Sequence, residues 1–199
     1  MFNEPNVSLI QAPTIGEGVE LLRKVCSQCY NKEVDSSVVS ACIKKGHTSI
    51  AEHLNFTFAI DNISRACLAQ LTRHRIASYT VRSQRYCEEE GFNYYLPESI
   101  MKNDEAREQY DHIMEDIDEL YQHLRKQGIP KEDARMILPN ACGTHLIMTI
   151  NLRSLINFFR LRMDVTAQKE IRVLAIKMFE LVCGRLPEID RLLLAEVCK

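Results

Sequence analysis

The chain has 199 residues, of which 46% are hydrophobic and 26% charged, with 7 Gly, 6 Pro, 8 Cys, no Trp and a formal net charge of −2. That is enough apolar content for a real core, and it excludes collagen-like, disordered and low-complexity classes. No apolar run approaches the ~18 residues of a membrane span, and the opening MFNEPNVSLI lacks the basic start and long apolar stretch of a signal peptide, so the eight scattered cysteines read as mostly reduced core residues of a cytoplasmic protein.

In chain order, Leu21, Leu22 and Val25 share one face of a helix expected from about Glu17 to Cys29. A second helix is expected from Asp35 to Lys45, stopped by Gly46. In 55–61, Phe56, Phe58 and Ile60 alternate with Asn55, Thr57 and Ala59, the period of a strand with one buried face. Residues 63–74 read as helix, and 78–86, rich in Tyr and β-branched residues, as extended chain. FNYYLP (92–97) reads as a short strand ended by proline. The longest helix is expected from Asp104 to Lys126, with Tyr110, Ile113, Met114, Ile117, Leu120, Tyr121 and Leu124 as a core stripe and acids elsewhere. Pro130 opens a short helix, 131–138, that Pro139 closes. Then come a β-rich run at 143–152 and helices at 152–162, about 167–183 and about 188–197. With no repeat, linker or composition break, the expectation is a single α+β domain over 1–199, a small mostly antiparallel sheet packed with several long helices.

Small as the net charge is, its distribution is uneven. Segment 62–87 holds five arginines and no acid, and segment 134–163 four arginines and no acid. Segment 88–133 holds fourteen acids against five bases. All nine cations in the acid-free segments are Arg, whose planar fork grips phosphate or carboxylate in two places. A surface network with the acidic segment is the plain alternative. Familiar loops are missing: Gly16 and Gly18 begin no dinucleotide fingerprint, since position 21 is Leu, and no G-x-x-x-x-G-K-[ST] occurs. Cys26 and Cys29 form a lone C-x-x-C on a helix, better explained by packing than by zinc, and no metal site is expected. His112 and His123 belong on the surface of the acidic helix, and His145 in the core.

The richest segment is Arg73-His74-Arg75-Ile76-Ala77-Ser78-Tyr79-Thr80-Val81-Arg82-Ser83-Gln84-Arg85-Tyr86. Successive helical residues diverge by about 100°, so Arg73, His74 and Arg75 share a direction only if the helix ends there. Cations at that end suit the helix dipole, but this does not explain the later Arg82, Ser83 and Arg85. Ser83 has no base placed for it, and an unactivated serine is a weak nucleophile, so it reads as a binder.

Arg73, His74 and Arg75, seven residues, then Ser83 resembles the signature of flavin-dependent thymidylate synthases. So, in the same order, do Gly46-His47-Thr48-Ser49 with Glu52-His53, Pro130-Lys131-Glu132-Asp133-Ala134-Arg135 with Leu138-Pro139, and Asn151-Leu152-Arg153-Ser154-Leu155-Ile156-Asn157-Phe158-Phe159 with Leu161-Arg162. The resemblance covers about residues 40–170. It implies the thymidylate synthase-complementing protein fold and an enzyme that makes dTMP from dUMP. Methylenetetrahydrofolate would be the carbon donor, NADPH would reduce bound FAD, and homotetramers would share active sites between chains. It further implies FAD contacts from Ser49, Arg73, His74, Arg75, Asn151, Arg153 and Asn157. For dUMP it implies Gln70, Arg73, Arg82, Ser83, Gln84, Arg85 and Arg135, with Arg162 promoting ionisation of the uracil N3, which is electrostatic catalysis. Thr80, Val81 and Gln84 depart from the family pattern around the serine, and Thr166 stands where many relatives have His. Flavin-free thymidylate synthases use a cysteine after proline, and no proline here precedes Cys. A nucleic-acid-binding module is the other class that clustered Arg suggests, and a pI near 6.3 argues against it. A catalytically dead relative is the third class, and none of the matched arginines is missing.

Overall fold

The structure, a computed structural model, describes residues 1–185; the helix expected at 188–197 and Cys198 lie outside them. Its elements are β1 (Asn6–Gln11), α1 (Glu17–Tyr30), α2 (Ser36–Lys44), a 3-10 helix (Thr48–His53), β2 (Asn55–Ser64), α3 (Arg65–Leu71) and β3 (Ala77–Val81). They continue with α4 (Glu98–Met101), α5 (Asp104–Lys126), α6 (Lys131–Ala134), a 3-10 turn (Arg135–Ile137), β4 (Gly143–Asn151), α7 (Leu152–Arg162) and α8 (Lys169–Cys183).

The four strands pair antiparallel in the order β1-β2-β4-β3. Alternation sends Phe56, Phe58 and Ile60 of β2 and Leu146, Met148 and Ile150 of β4 to one face. That face is buried with apolar side chains of α1, α2, α3, α7 and α8 in one core. The other face carries Ser8, Thr57, Thr149, Ser78 and Thr80. His145 belongs to this open face and is exposed, not in the core as its strand setting suggested; its neighbours Thr144 and Leu146 take the inward positions.

Each central strand runs straight into a capped helix. The Ser64 hydroxyl closes β2 by accepting the Cys67 N–H at 2.9 Å, so α3 begins two residues later than the sequence predicts. Asn151 does the same after β4, its side-chain oxygen accepting from Ser154 N at 2.9 Å. At Gly143 a Cβ would sit 2.9 Å from the Asn93 carbonyl and 2.8 Å from the Phe2 ring, so the close approach of these segments requires glycine.

α5 has the bounds read from its pattern, but its stripe is only partly core. Met114 and Tyr121 are buried, whereas Ile113 is 52% and Leu120 46% exposed. The helix packs beside the main core, against α4, α6 and the chain at 88–97. Beyond β3 the chain turns, with Ser83 O accepting from Tyr86 and Cys87, where the sequence suggested continued strand. Segment 92–97 makes only single bridges, Tyr94 to Cys142 and Tyr95 to Phe2. β1, α4 and the helix Thr48–His53 went unread. Of the described cysteines, Cys26, Cys42, Cys67 and Cys142 are buried and Cys29 is exposed, and these five are in no disulfide. No helix among the described residues is long and apolar enough to cross a membrane, and no cluster there has the makings of a metal site.

Candidate active site

A cavity of about 790 Å³ opens between the end of α3, the first turns and last turn of α7, and the Thr48–His53 helix. Its volume is in the range of small-molecule and cofactor sites. Among the described residues, five arginines line it (Arg73, Arg75, Arg153, Arg160 and Arg162) against one acid, Glu52, which is ion-paired to Arg153. The guanidinium groups of Arg73 and Arg75 make no hydrogen bond or ion pair among the described residues. This surplus of positive charge, walled on one side by Ile43, Ile76, Ile156 and Leu161, suits a ligand with phosphate groups and a flat apolar ring.

The cavity gathers many of the residues singled out above. Arg73, His74 and Arg75 reach it because α3 ends at Leu71 and the chain turns before β3 begins. Asn151, Arg153 and Asn157 reach it from α7, the last two one turn apart on one face. Arg162 donates from Nε to His74 Nε2 at 3.0 Å and from Nη2 to the Gln70 carbonyl at 3.3 Å. Burial, then the charge of Arg162, push the His74 imidazole down to about 4. Ser49 is exposed and lies off the cavity wall, to which its neighbours Thr48 and Glu52 contribute. The Gln70 side chain hydrogen-bonds Gln168.

The remaining residues form a second group at the far end of β3. Ala77 pairs with Ile150 and Val81 with Leu146, so β3 carries the chain from the C-terminal end of β4 towards its N-terminal end. At ~3.3 Å per residue, the ends of β3 are about 13 Å apart. Beyond it, Ser83 accepts the Arg85 N–H on its hydroxyl at 3.2 Å. Arg85 Nε pairs with Glu132 at 2.5 Å, and Arg135 donates to the Glu132 carbonyl at 3.2 Å. Arg82 donates to the buried Glu89 carboxylate at 2.5 Å and to the Glu88 carbonyl at 2.7 Å. Gln84 contacts Cys142 Sγ at 3.5 Å. No histidine or carboxylate is hydrogen-bonded to Ser83 among the described residues.

Tyr79, read from sequence as an ordinary strand residue, has its hydroxyl between the carbonyls of Leu71 and His74, at 3.0 and 2.8 Å. It ties the Arg-His-Arg turn to β3. The one sequence signal was a tyrosine on an inward strand position five residues after a histidine, too weak to read.

A family model described as thymidylate synthase complementing protein matches residues 12–188. A flavin-dependent thymidylate synthase of Geobacter sulfurreducens is 44% identical over 166 residues, covering 80% of this chain and 72% of that protein. Another of Nitratidesulfovibrio vulgaris is 34% identical over 211 residues, covering 94% and 85%. One from Pyrococcus furiosus is 48% identical over 144 residues, covering 70% of this chain and 59% of that protein.

Proposed function

Since the chain belongs to the thymidylate synthase complementing protein family, we propose that it is a flavin-dependent thymidylate synthase converting dUMP to dTMP, with 5,10-methylenetetrahydrofolate as carbon donor and NADPH as electron source. The FAD it binds supplies, once reduced, the hydride that completes the methyl group. The observation that carries this reading is the cavity lined by Arg73 and Arg75, unpaired among the described residues, together with Arg162, in a chain matched by the family model over most of its length.

The chain's own residues divide the work. Arg73 and Arg75 hold the cofactor's phosphates by charge, with Arg153, Asn151 and Asn157 providing donors from α7. The Asn151 oxygen caps that helix, so its amide N–H groups are the part left for a ligand. Ser49 and His74 complete the flavin set. The guanidinium charge of Arg162 favours the N3 anion of the bound uracil. The Ser83 hydroxyl, Arg85 and Arg135 take the nucleotide phosphate, with Arg82 and Gln84 around it, while Gln70 and Arg73 contact dUMP from the Arg162 side.

Those two groups stand at opposite ends of β3, which supports a homotetramer whose sites each draw on two copies. The protein is a single domain over 1–199 and works in the cytoplasm without nucleic-acid or membrane partners. The purified protein is expected to show a flavin absorbance spectrum and to form dTMP from dUMP, methylenetetrahydrofolate and NADPH. A folded protein that binds no FAD and makes no dTMP overturns the reading. Light scattering tests the tetramer.

A further inference from the structure

Arg162 is half-buried in the last turn of α7, and a flexible guanidinium acts as an oriented cation only if something fixes it. Two groups hold it, His74 Nε2 on its Nε and the Gln70 carbonyl on its Nη2. Guanidinium nitrogens donate and cannot accept. His74 Nε2 must therefore present a lone pair, which makes the ring neutral, with its proton on Nδ1.

The imidazole is itself braced. Phe158 meets it edge-on at 4.9 Å and 83°, and the Tyr79 hydroxyl anchors its main-chain carbonyl. The charged groups around it favour neutrality. Arg162 faces it from α7, Arg73 and Arg75 flank it in the chain, and Arg160 lines the same cavity. Glu52, the one acid among the described residues that line the cavity, is engaged by Arg153. Burial and the Arg162 charge both disfavour the imidazolium. A carboxylate in place of His74 would orient Arg162 equally well but would cancel its charge, whereas a neutral acceptor orients it and leaves the charge intact.

We propose that His74 is a positioning residue for Arg162, its neutral Nε2 and the Gln70 carbonyl fixing two corners of the guanidinium so that the Nη1 hydrogens and the second Nη2 hydrogen are left for a ligand. Its effect on turnover rests on the thymidylate synthase reading above; the hydrogen bond does not.

Two measurements on the purified protein test it. In protein carrying 15N-labelled histidine, without added dUMP, His74 is expected to be the Nδ1–H tautomer at neutral pH and to titrate near 4. In Arg162→Gln it should move up towards the ordinary value of about 6.5. An Nε2–H tautomer, or a titration near 6.5 in the unaltered protein, overturns the proposal whether or not dTMP is made. The second compares His74→Gln, whose side-chain carbonyl can replace the acceptor, with His74→Leu, which has none. Turnover per bound flavin should fall about tenfold or more in the Leu variant, with the Gln variant recovering most of it. Equal turnover in both variants overturns the proposal and leaves the enzyme assignment standing.

Discussion

Arg162 and Arg73 line the same cavity, yet their surroundings assign them different jobs. Arg162 has two hydrogen-bond partners within the chain, which fix its geometry in advance of any ligand. Arg73 is exposed and its guanidinium has no partner among the described residues, which leaves its donors open to a ligand. Arg162→Ala is therefore expected to fold and keep FAD while losing about a hundredfold or more in kcat; a kcat near that of the unaltered protein at saturating dUMP rejects the assignment. Arg73→Ala, at an exposed position, should leave stability within about 0.5 kcal/mol and still release FAD more readily, with the difference from the unaltered protein narrowing as salt rises and screens the lost attraction. A thermal melt followed with flavin absorbance separates the two effects. These arginines were legible in the sequence because residue type and spacing carry the motif. Their partners were not: the Arg162–His74 bond joins positions 88 apart in the chain, and no local pattern announces it.

Elements were legible where a long periodicity had only one solution. α5 and α7 have the bounds their patterns predict, and β2 was found by its alternating Phe residues. β1 escaped because VSLI is short, lies between prolines and forms an edge strand with only partly buried positions. The α5 stripe misled because a helix packed beside the core turns only part of its apolar face inward. The β2–α3 junction rests on an interaction that no local pattern shows. Glu170, 1% exposed in the first turn of α8, accepts from both Ser64 N and Ser64 Oγ at 2.6 Å, and Ser64 in turn caps α3. Burial raises the Glu170 pKa, and the two bonds from Ser64 oppose that shift without reversing it. Glu170→Ala should cost about 1–3 kcal/mol, as a buried donor pair left unmet does, readable in urea unfolding. Because the folded-state pKa is raised, folding favours the protonated acid. Its stabilising contribution is present below the ordinary carboxylate pKa and is lost as pH rises through the folded value. Glu170→Gln, uncharged at every pH, should therefore gain stability relative to the unaltered protein as pH is raised from about 4.5 to neutrality. A difference that stays flat over that range contradicts the buried-acid account.

At the scale of the whole molecule, a net charge of −2 is an average over strongly unlike segments. Folding pairs some of the opposite charges, Arg82 with Glu89 and Arg85 with Glu132, so part of the arginine excess does form the plain network with the acidic segment. What folding leaves unpaired in the cavity is the part that recognises a ligand. Sequence order hid the separation of the two arginine groups, since Arg75 and Ser83 are eight residues apart and read as one site. Only the extended run of β3 between them, its ends about 13 Å apart at ~3.3 Å per residue, shows that they stand at opposite ends of a strand. A single copy that presents the flavin-side group at one end and the phosphate-side group at the other is expected to complete its sites with a neighbour. This gives a test that needs no view of the assembly. Arg162→Ala removes the first group and Arg85→Ala the second, so each variant alone should be nearly inactive. Mixed after dissociation and reassembly, sites that draw one group from each of two copies should recover activity, to about a quarter of the unaltered level if subunits assort at random in a closed symmetric oligomer. If instead every copy builds its site alone, no mixture can contain an intact site, and the mixed sample will stay as inactive as its parents.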